Sequence, residues 1–452
     1  MLSLPKNSFT NQALFFKRFV HLIVYSLLLL SIDQAFALPR MSLTAGTPCV
    51  GCHVNPNGSG GRTDLGWSAL NKVGAFNYDQ LGLTALHKQE SNMFWGDKVA
   101  VGLDMRFQGV VLGNPRPSVD PDQPNNPKFA YFPMQFQPYL TIKPTHNLTI
   151  YGSVLPGADA AKGKICEGYI YGGMGCLEGW VKYDLGPSLP SVRVGQFQPT
   201  FGIRHDDHTL LIRGDARDRR TPVIPPNYME LGGEVSYQPK RWLRVEVGGF
   251  RSKNLKEALD SRPNDRPNNA GNFASVGRLT LLHQFSLSET EEKDDFDDDF
   301  GDDFGDDFGD DPEPSEPINI NTWLGTSFFQ SGDFRMINGF LGFGMPQGIS
   351  GVAEIAFTRF GANDTIETLN TMNLFYSVSY AVKEWLVPTI RMERAQSTYL
   401  DAKLDEVAVT RQYVAGVEFF PLPYVEVRPE YRLVKTADYM LGYPAIQLHL
   451  FY

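Results

Sequence analysis

From about residue 97 onward the chain alternates with a period of two, and the two alternating sets differ in chemistry, which restricts it to strands with one apolar and one polar face. In the first such run Val99, Val101, Leu103, Met105 and Phe107 share one face, and Gly102, Asp104, Arg106 and Gln108 share the other. Near the end Val425, Val427, Tyr431 and Leu433 oppose Glu426, Arg428, Glu430 and Arg432. A soluble sandwich also alternates, with its apolar face buried between two sheets. Segments near ten residues, aromatic residues at many segment ends and a rhythm of long loops and short turns favour a membrane barrel whose charges line a lumen. The short turns fall at Lys143 to Asn147, Gln238 to Arg241, Val382 to Glu384 and Pro421 to Pro423.

The N-terminus fits this reading, because such a barrel must be exported. Lys6, Lys17 and Arg18 precede the apolar run Phe19 to Leu30, and Ala35-Phe36-Ala37 has the small-x-small pattern of a signal-peptidase site. Residues 1–37 are therefore expected to be a signal peptide cut after Ala37. The run is broken by His21 and Ser26 and falls short of the roughly 20 apolar residues that span a bilayer. With no other stretch of that kind, the mature chain enters a membrane only as strands. Composition shifts at two places, near residue 96 and at an acidic run, so the 452 residues divide into a small N-terminal module, 38–96, and one large all-β domain, 97–452. Counting candidate strands gives roughly sixteen in an antiparallel barrel, an even number that puts both chain ends of this domain on the periplasmic side.

The module carries Cys49-Val50-Gly51-Cys52-His53. In a c-type haem site two thiols at this spacing add to the haem vinyl groups and the adjacent imidazole ligates the iron. A thioredoxin-like CxxC calls for a βαβ setting, and a structural zinc calls for a second Cys/His pair; neither is nearby. One covalent haem c held by Cys49 and Cys52, with His53 as the proximal iron ligand, is the expectation. The stretch from Val54 to Arg62 is turn-forming, and Leu65, Ala69, Leu70, Val73 and Phe76 then fall near helical spacing, so the module reads as mainly helical. About sixty residues are marginal for an independent core, so the module leans on its neighbour. His87, Met93 and Met41 are candidates for the distal ligand, as are a group from the large domain and a vacant sixth position; a Met ligand would raise the potential.

Three other features stand out. Cys166 and Cys176 flank a Gly-rich segment in an expected outward loop, and exported cysteines this close commonly pair, so a loop disulfide is expected. Glu289 to Glu316 holds sixteen carboxylates against one lysine, which accounts for more than the whole net charge of -10. Within it Asp294 to Asp311 repeats an Asp-Asp-Phe-Gly unit, so 288–317 reads as a disordered insert between the eighth and ninth strands, on the side of the module. It is either a solvated spacer or an attractor for a basic periplasmic cytochrome. It is not an EF-hand, because Phe300 stands where the loop needs glycine. His205-Asp206-Asp207-His208, in an expected outward loop, suits a divalent transition metal through His205 and His208, or is simply solvated.

A single CxxCH segment ahead of a barrel resembles the fused monohaem cytochrome-porins of the outer membrane, best known from bacteria that oxidise ferrous iron outside the cell. The motif-level match is Cys49, Cys52 and His53; the match of the barrel is architectural. The last segment, with Ile446, Leu448, Leu450 and Tyr452 on one face, resembles the terminal strand of outer-membrane barrels. Asn55-Pro56-Asn57-Gly58 looks more like other haem-bearing barrels than like the iron oxidases. The resemblance implies a lipid-embedded barrel with haem at or inside it, passing electrons between an external partner and a periplasmic c-type cytochrome. The external partner is a soluble redox donor, ferrous iron included, or a multihaem cytochrome; nucleic acid is not expected. Two other readings stay open: a selective porin for small solutes with a structural or sensory haem, and a sheath for a separate multihaem cytochrome. N-terminal sequencing of the protein from outer membranes should begin at Leu38-Pro39-Arg40; a chain that begins at Met1 would contradict the export reading.

Overall fold

The computed structural model describes residues 39–83 except 45, 47–48, 56–57, 59 and 72, and residues 93–451 except 96–97, 113–127, 156–175, 187, 206–209, 217–223, 225–227, 261–267, 288–317, 363–366 and 401–404. After the two-residue strand β1 (Met93–Phe94) come sixteen long ones. They are β2 (Val99–Leu112), β3 (Lys128–Thr145), β4 (Leu148–Val154), β5 (Leu177–Asp184), β6 (Ser191–Phe197), β7 (Glu230–Lys240), β8 (Leu243–Arg251) and β9 (Phe273–Leu287). The second half comprises β10 (Ile318–Ser331), β11 (Phe334–Gly344), β12 (Ile349–Arg359), β13 (Thr368–Tyr380), β14 (Leu386–Leu400), β15 (Asp405–Leu422), β16 (Val425–Lys435) and β17 (Met440–Phe451). Each long strand pairs antiparallel with its sequence neighbours, and β17 returns to β2, with Ala445 opposite Val110 and Phe451 opposite Asp104. The chain is a closed sixteen-stranded antiparallel barrel, and closure leaves none of these strands with a free edge.

The turns sort onto two ends. One end carries His146-Asn147 between β3 and β4, Arg241-Trp242 between β7 and β8, and Pro423-Tyr424 between β15 and β16, each within a residue or two of the expected turns. Alternation of direction puts the link 288–317, from β9 to β10, on this short-turn end too. The opposite end carries the long connections 113–127, 155–176, 198–229 and 252–272, together with shorter ones such as Gly332-Asp333 between β10 and β11. One of these connections contains a helix, α4 (Lys253–Asp260), by chain order the last of four α-helices among the described residues, with Leu255, Ala258 and Leu259 buried.

The two faces of the wall separate as the alternation requires. Outward positions are apolar and exposed: Leu324 stands opposite both Leu281 and Leu341, and Val101, Ile337, Ile390 and Ile446 are exposed on other strands. Such a surface suits hydrocarbon, not water. No helix among the described residues is long and apolar enough to cross a membrane, so crossing is left to the strands. Inward positions are polar, including Asp104, Arg106 and Gln108 on β2 and Glu426, Glu430 and Arg432 on β16, and these side chains are buried because other parts of the chain fill much of the lumen. Leu324→Arg, at the middle of β10 and 57% exposed, should destabilise the barrel by about 2–4 kcal/mol, as a charge at the bilayer midplane does, when unfolding is followed in lipid vesicles. A loss near zero would mean that this face does not meet lipid.

Candidate functional site

Two inserts occupy the lumen, and the first is the N-terminal segment. It begins with α1 (Pro39–Thr44), continues through α2 (Cys49–Cys52) and reaches α3 (Asp64–Asn71). Leu43, fully buried, packs over Gly342 and Gly344 on the inner face of β11, where larger residues would collide with it. Gly60 takes a left-handed backbone (φ +64°) and lies against Tyr151 of β4, while Gly61 lies against Thr141 and Tyr139 of β3. Only glycine meets both demands at residue 60. The Asn55 side-chain oxygen accepts a hydrogen bond from Arg193 Nη1 at 2.8 Å.

Past α3 the segment is fixed to the β15–β16 turn. Trp67 stacks on Tyr424 with ring centroids 4.3 Å apart, and the Tyr424 hydroxyl donates to the Trp67 carbonyl at 2.9 Å. The backbone N–H groups of Ala75 and Phe76 donate to the carbonyls of Phe420 and Pro421, and Tyr78 OH donates to Pro423 O. Trp67, Leu70 and Val73 form one apolar cluster with Phe420, Tyr424 and Phe451. The segment thus contacts the inner wall on several sides and seals part of the short-turn end.

Cys49-Val50-Gly51-Cys52-His53 lies inside this segment. Positions 49 and 52 stand one turn apart on α2, hence on one face of it. Cys52 is a buried free thiol. His53 leaves the helix and bridges to Arg62 in a short antiparallel pair. α3 packs so closely on α2 that a side chain at Gly66 would strike the Cys52 carbonyl, and Thr63 Oγ1 donates to Gly51 O at 2.6 Å. Two cysteine positions one turn apart and an adjoining imidazole are the donor set that a covalent haem c requires. Of the distal candidates, Met93 is in β1, paired with Ala100 at the foot of β2; His87 and the Met41 side chain lie outside the described residues.

The second insert is the β6–β7 connection, whose described residues 198–205 and 210–216 turn into the lumen. Backbone groups inside a barrel need partners, and the wall supplies them in sequence. Thr200 N donates to Glu234, Gly202 N to Ser327 Oγ, Ile203 N to Glu354, Leu211 N to Glu393 and Ala216 N to Ser397 Oγ. Glu354 is the busiest anchor. It is hydrogen-bonded to His205 Nε2 at 2.8 Å, accepts from Asn338 Nδ2 and faces Arg213 Nη2 at 3.5 Å. Burial pulls the Arg213 guanidinium below its usual range, and Glu354 opposes that pull.

These inserts leave a lumenal cavity of about 140 Å³, lined by Arg106, Arg391, Arg428, Glu418, Glu426 and Glu430 together with His205 and His449. The charges are largely internal pairs: Arg391 with Glu393 at 2.8 Å, Arg428 with Glu430 at 3.2 Å, and His449 between Asp104 and Glu426. The space therefore suits small polar solutes and water better than a bulky apolar ligand.

No family model and no curated protein matches the chain. Among solved structures, the outer-membrane-expressed OmpT of Vibrio cholerae is 9% identical with a TM-score of 0.44, covering 80% of this chain and 100% of that one. The outer membrane channel DcaP of Acinetobacter baumannii is 11% identical, TM-score 0.46, with the same coverage. An anion-selective porin from Comamonas acidovorans is 9% identical, TM-score 0.41, covering 78% of this chain and 99% of that one. The likeness is to the barrel, and no function crosses with it.

Of the histidine pair, His205 belongs to a connection that folds inward, with its ring against Phe375 and its Nε2 on Glu354, while His208 lies outside the described residues. Among the described residues no group of three or more His, Cys, Asp or Glu is arranged to hold a metal ion. Cys176 is disulfide-bonded, and Cys166 lies outside the described residues. Sequence reading had overlooked Glu354 and Arg62. Glu354 was legible only as one more inward charge, and Arg62 only as the end of a turn. Glu354→Gln should leave Arg213 uncompensated and cost about 3–5 kcal/mol of stability, with raised single-channel conductance as the loop loosens; an unchanged melting curve would show that Glu354 is not an anchor.

Proposed function

We propose that this chain is an outer-membrane barrel that carries one covalent haem c inside the periplasmic end of its lumen and relays single electrons between an external partner and a periplasmic c-type cytochrome. The observation that carries this reading is the CxxCH motif lying within a segment bound to the inner wall, with its Cys52 side chain buried. Cys49 and Cys52 hold the group, His53 ligates its iron, and Trp67, Leu70 and Val73 keep water from that side. Haem c, when bound, supplies reversible one-electron chemistry at iron. His87 and Met93 remain the proposed distal ligands, with Cys166 and Cys176 proposed as a loop disulfide.

The apolar band of such a barrel is about 25 Å tall, and a single haem near one end does not bridge it. An external donor must therefore enter the lumen from the long-loop end or reach into the cavity behind the 198–216 stretch. Soluble one-electron donors, ferrous iron among them, meet that requirement. Filling of the lumen by the chain's own inserts counts against a sheath for a separate multihaem cytochrome. The acidic link 288–317, on the same end as the haem segment, is proposed to attract a basic cytochrome.

A second reading needs no electron transfer: a solute-selective porin whose haem, if attached, is structural or sensory. The closed barrel and its cavity of paired charges support this channel reading more directly than the first, because they require no cofactor. Two measurements divide the readings. Purified wild type should stain for covalent haem and be reduced by an external donor, and a C49S/C52S double variant should lose both, with its conductance in planar bilayers little changed. Solute-selective conductance without reduction by any external donor would favour the porin, and absence of covalent haem in the wild type would end the electron-transfer reading.

A further inference from the structure

Arg62 is 7% exposed, and its guanidinium lies over the Phe451 ring at 4.9 Å. Its Nη1 has no hydrogen-bond partner, and no carboxylate among the described residues pairs with it. The acid whose field reaches it, Asp104, is itself hydrogen-bonded to His449 at 3.0 Å. A cation shut away from water with no counter-charge is strongly unfavourable unless something supplies one. The inward Arg193, Arg213 and Arg432, by contrast, each face a glutamate within 3.5 Å.

The backbone explains where the missing anion would come from. Val54 N donates to Gly61 O and Thr63 N donates to Cys52 O, so these two bonds flank the pair His53 and Arg62 without joining it. In such a non-hydrogen-bonded antiparallel pair the two side chains share a face, with Cβ atoms about 4.5–5.5 Å apart. Arg62 is therefore the cross-strand neighbour of the imidazole assigned to the iron. A haem joined to Cys52 would carry two propionate carboxylates, and a guanidinium fork is suited to binding a carboxylate through two hydrogen bonds.

We propose that Arg62 binds a haem propionate, neutralising it inside the barrel and fixing the orientation of the haem against His53. This rests on the haem reading above and adds a residue to the site. The role is one of binding and positioning, not of ligating the iron. A buried cation here also favours the reduced, less positive form of the iron over the oxidised one.

The test uses the full-length protein purified from outer membranes, as wild type, R62Q and R62K, with covalent haem measured first and the reduction equilibrium second. R62Q should keep its haem on Cys49 and Cys52 but shift about tenfold toward the oxidised form, ~59 mV for one electron, and R62K should recover more than half of the shift. Haem present in all three with R62Q within twofold of wild type overturns the role of Arg62 and leaves the haem reading standing. No haem in the wild type overturns both. Should R62Q fail to assemble, resonance Raman of wild type and R62K decides: the propionate bending band must differ between them, and an identical band overturns the proposal.

Discussion

Closure of the sheet is the constraint on which everything else in this molecule depends. Once β17 pairs with β2, every strand finds its backbone partners within the wall, the condition a bilayer imposes on any structure that crosses it. The same closure forces alternate side chains into an interior. The stretch with Asp104, Arg106 and Gln108 on β2 becomes a piece of lumen wall only because a last strand returns to lie beside it.

An interior lined with charge then acts as a ligand for the chain's own connections. Wall carboxylates and hydroxyls accept from the backbone of 198–216, and the wall thereby holds a loop in a place where an irregular backbone would otherwise be costly. The N-terminal segment uses the same device more sparingly. One line of contacts joins both inserts: Asn55 accepts from Arg193, Arg193 pairs with Glu234 at 2.9 Å, and Glu234 accepts from Thr200. A change in the Cys49–His53 segment is in this way in mechanical contact with the connection that narrows the lumen, through four residues in succession.

Much of the barrel was legible in residue order because its information is local. The alternation about Val101 and Asp104, or about Tyr431 and Glu430, needs no knowledge of partners, and turns such as Pro421 to Pro423 announce themselves by residue type. The inward fold of the β6–β7 connection was not legible. His205 and its neighbours have the polarity of an ordinary exposed loop, and what draws them inward is Glu354, about 150 residues later. Arg62 was hidden for a related reason: its lack of a counter-ion exists only once burial has been decided by distant Phe451 and Tyr139.

The sequence by itself determined a period-two wall of about sixteen strands and one pair of cysteines beside a histidine, because periodicity and spacing are properties of neighbours along the chain. Only the tertiary structure decided that the motif lies within the wall, that a loop fills the lumen beside it, and that one buried arginine faces the imidazole without an acid of its own. Those facts arise when closure brings β2, β12 and β17 around the same enclosed space, where burial makes each charge depend on partners far away in sequence.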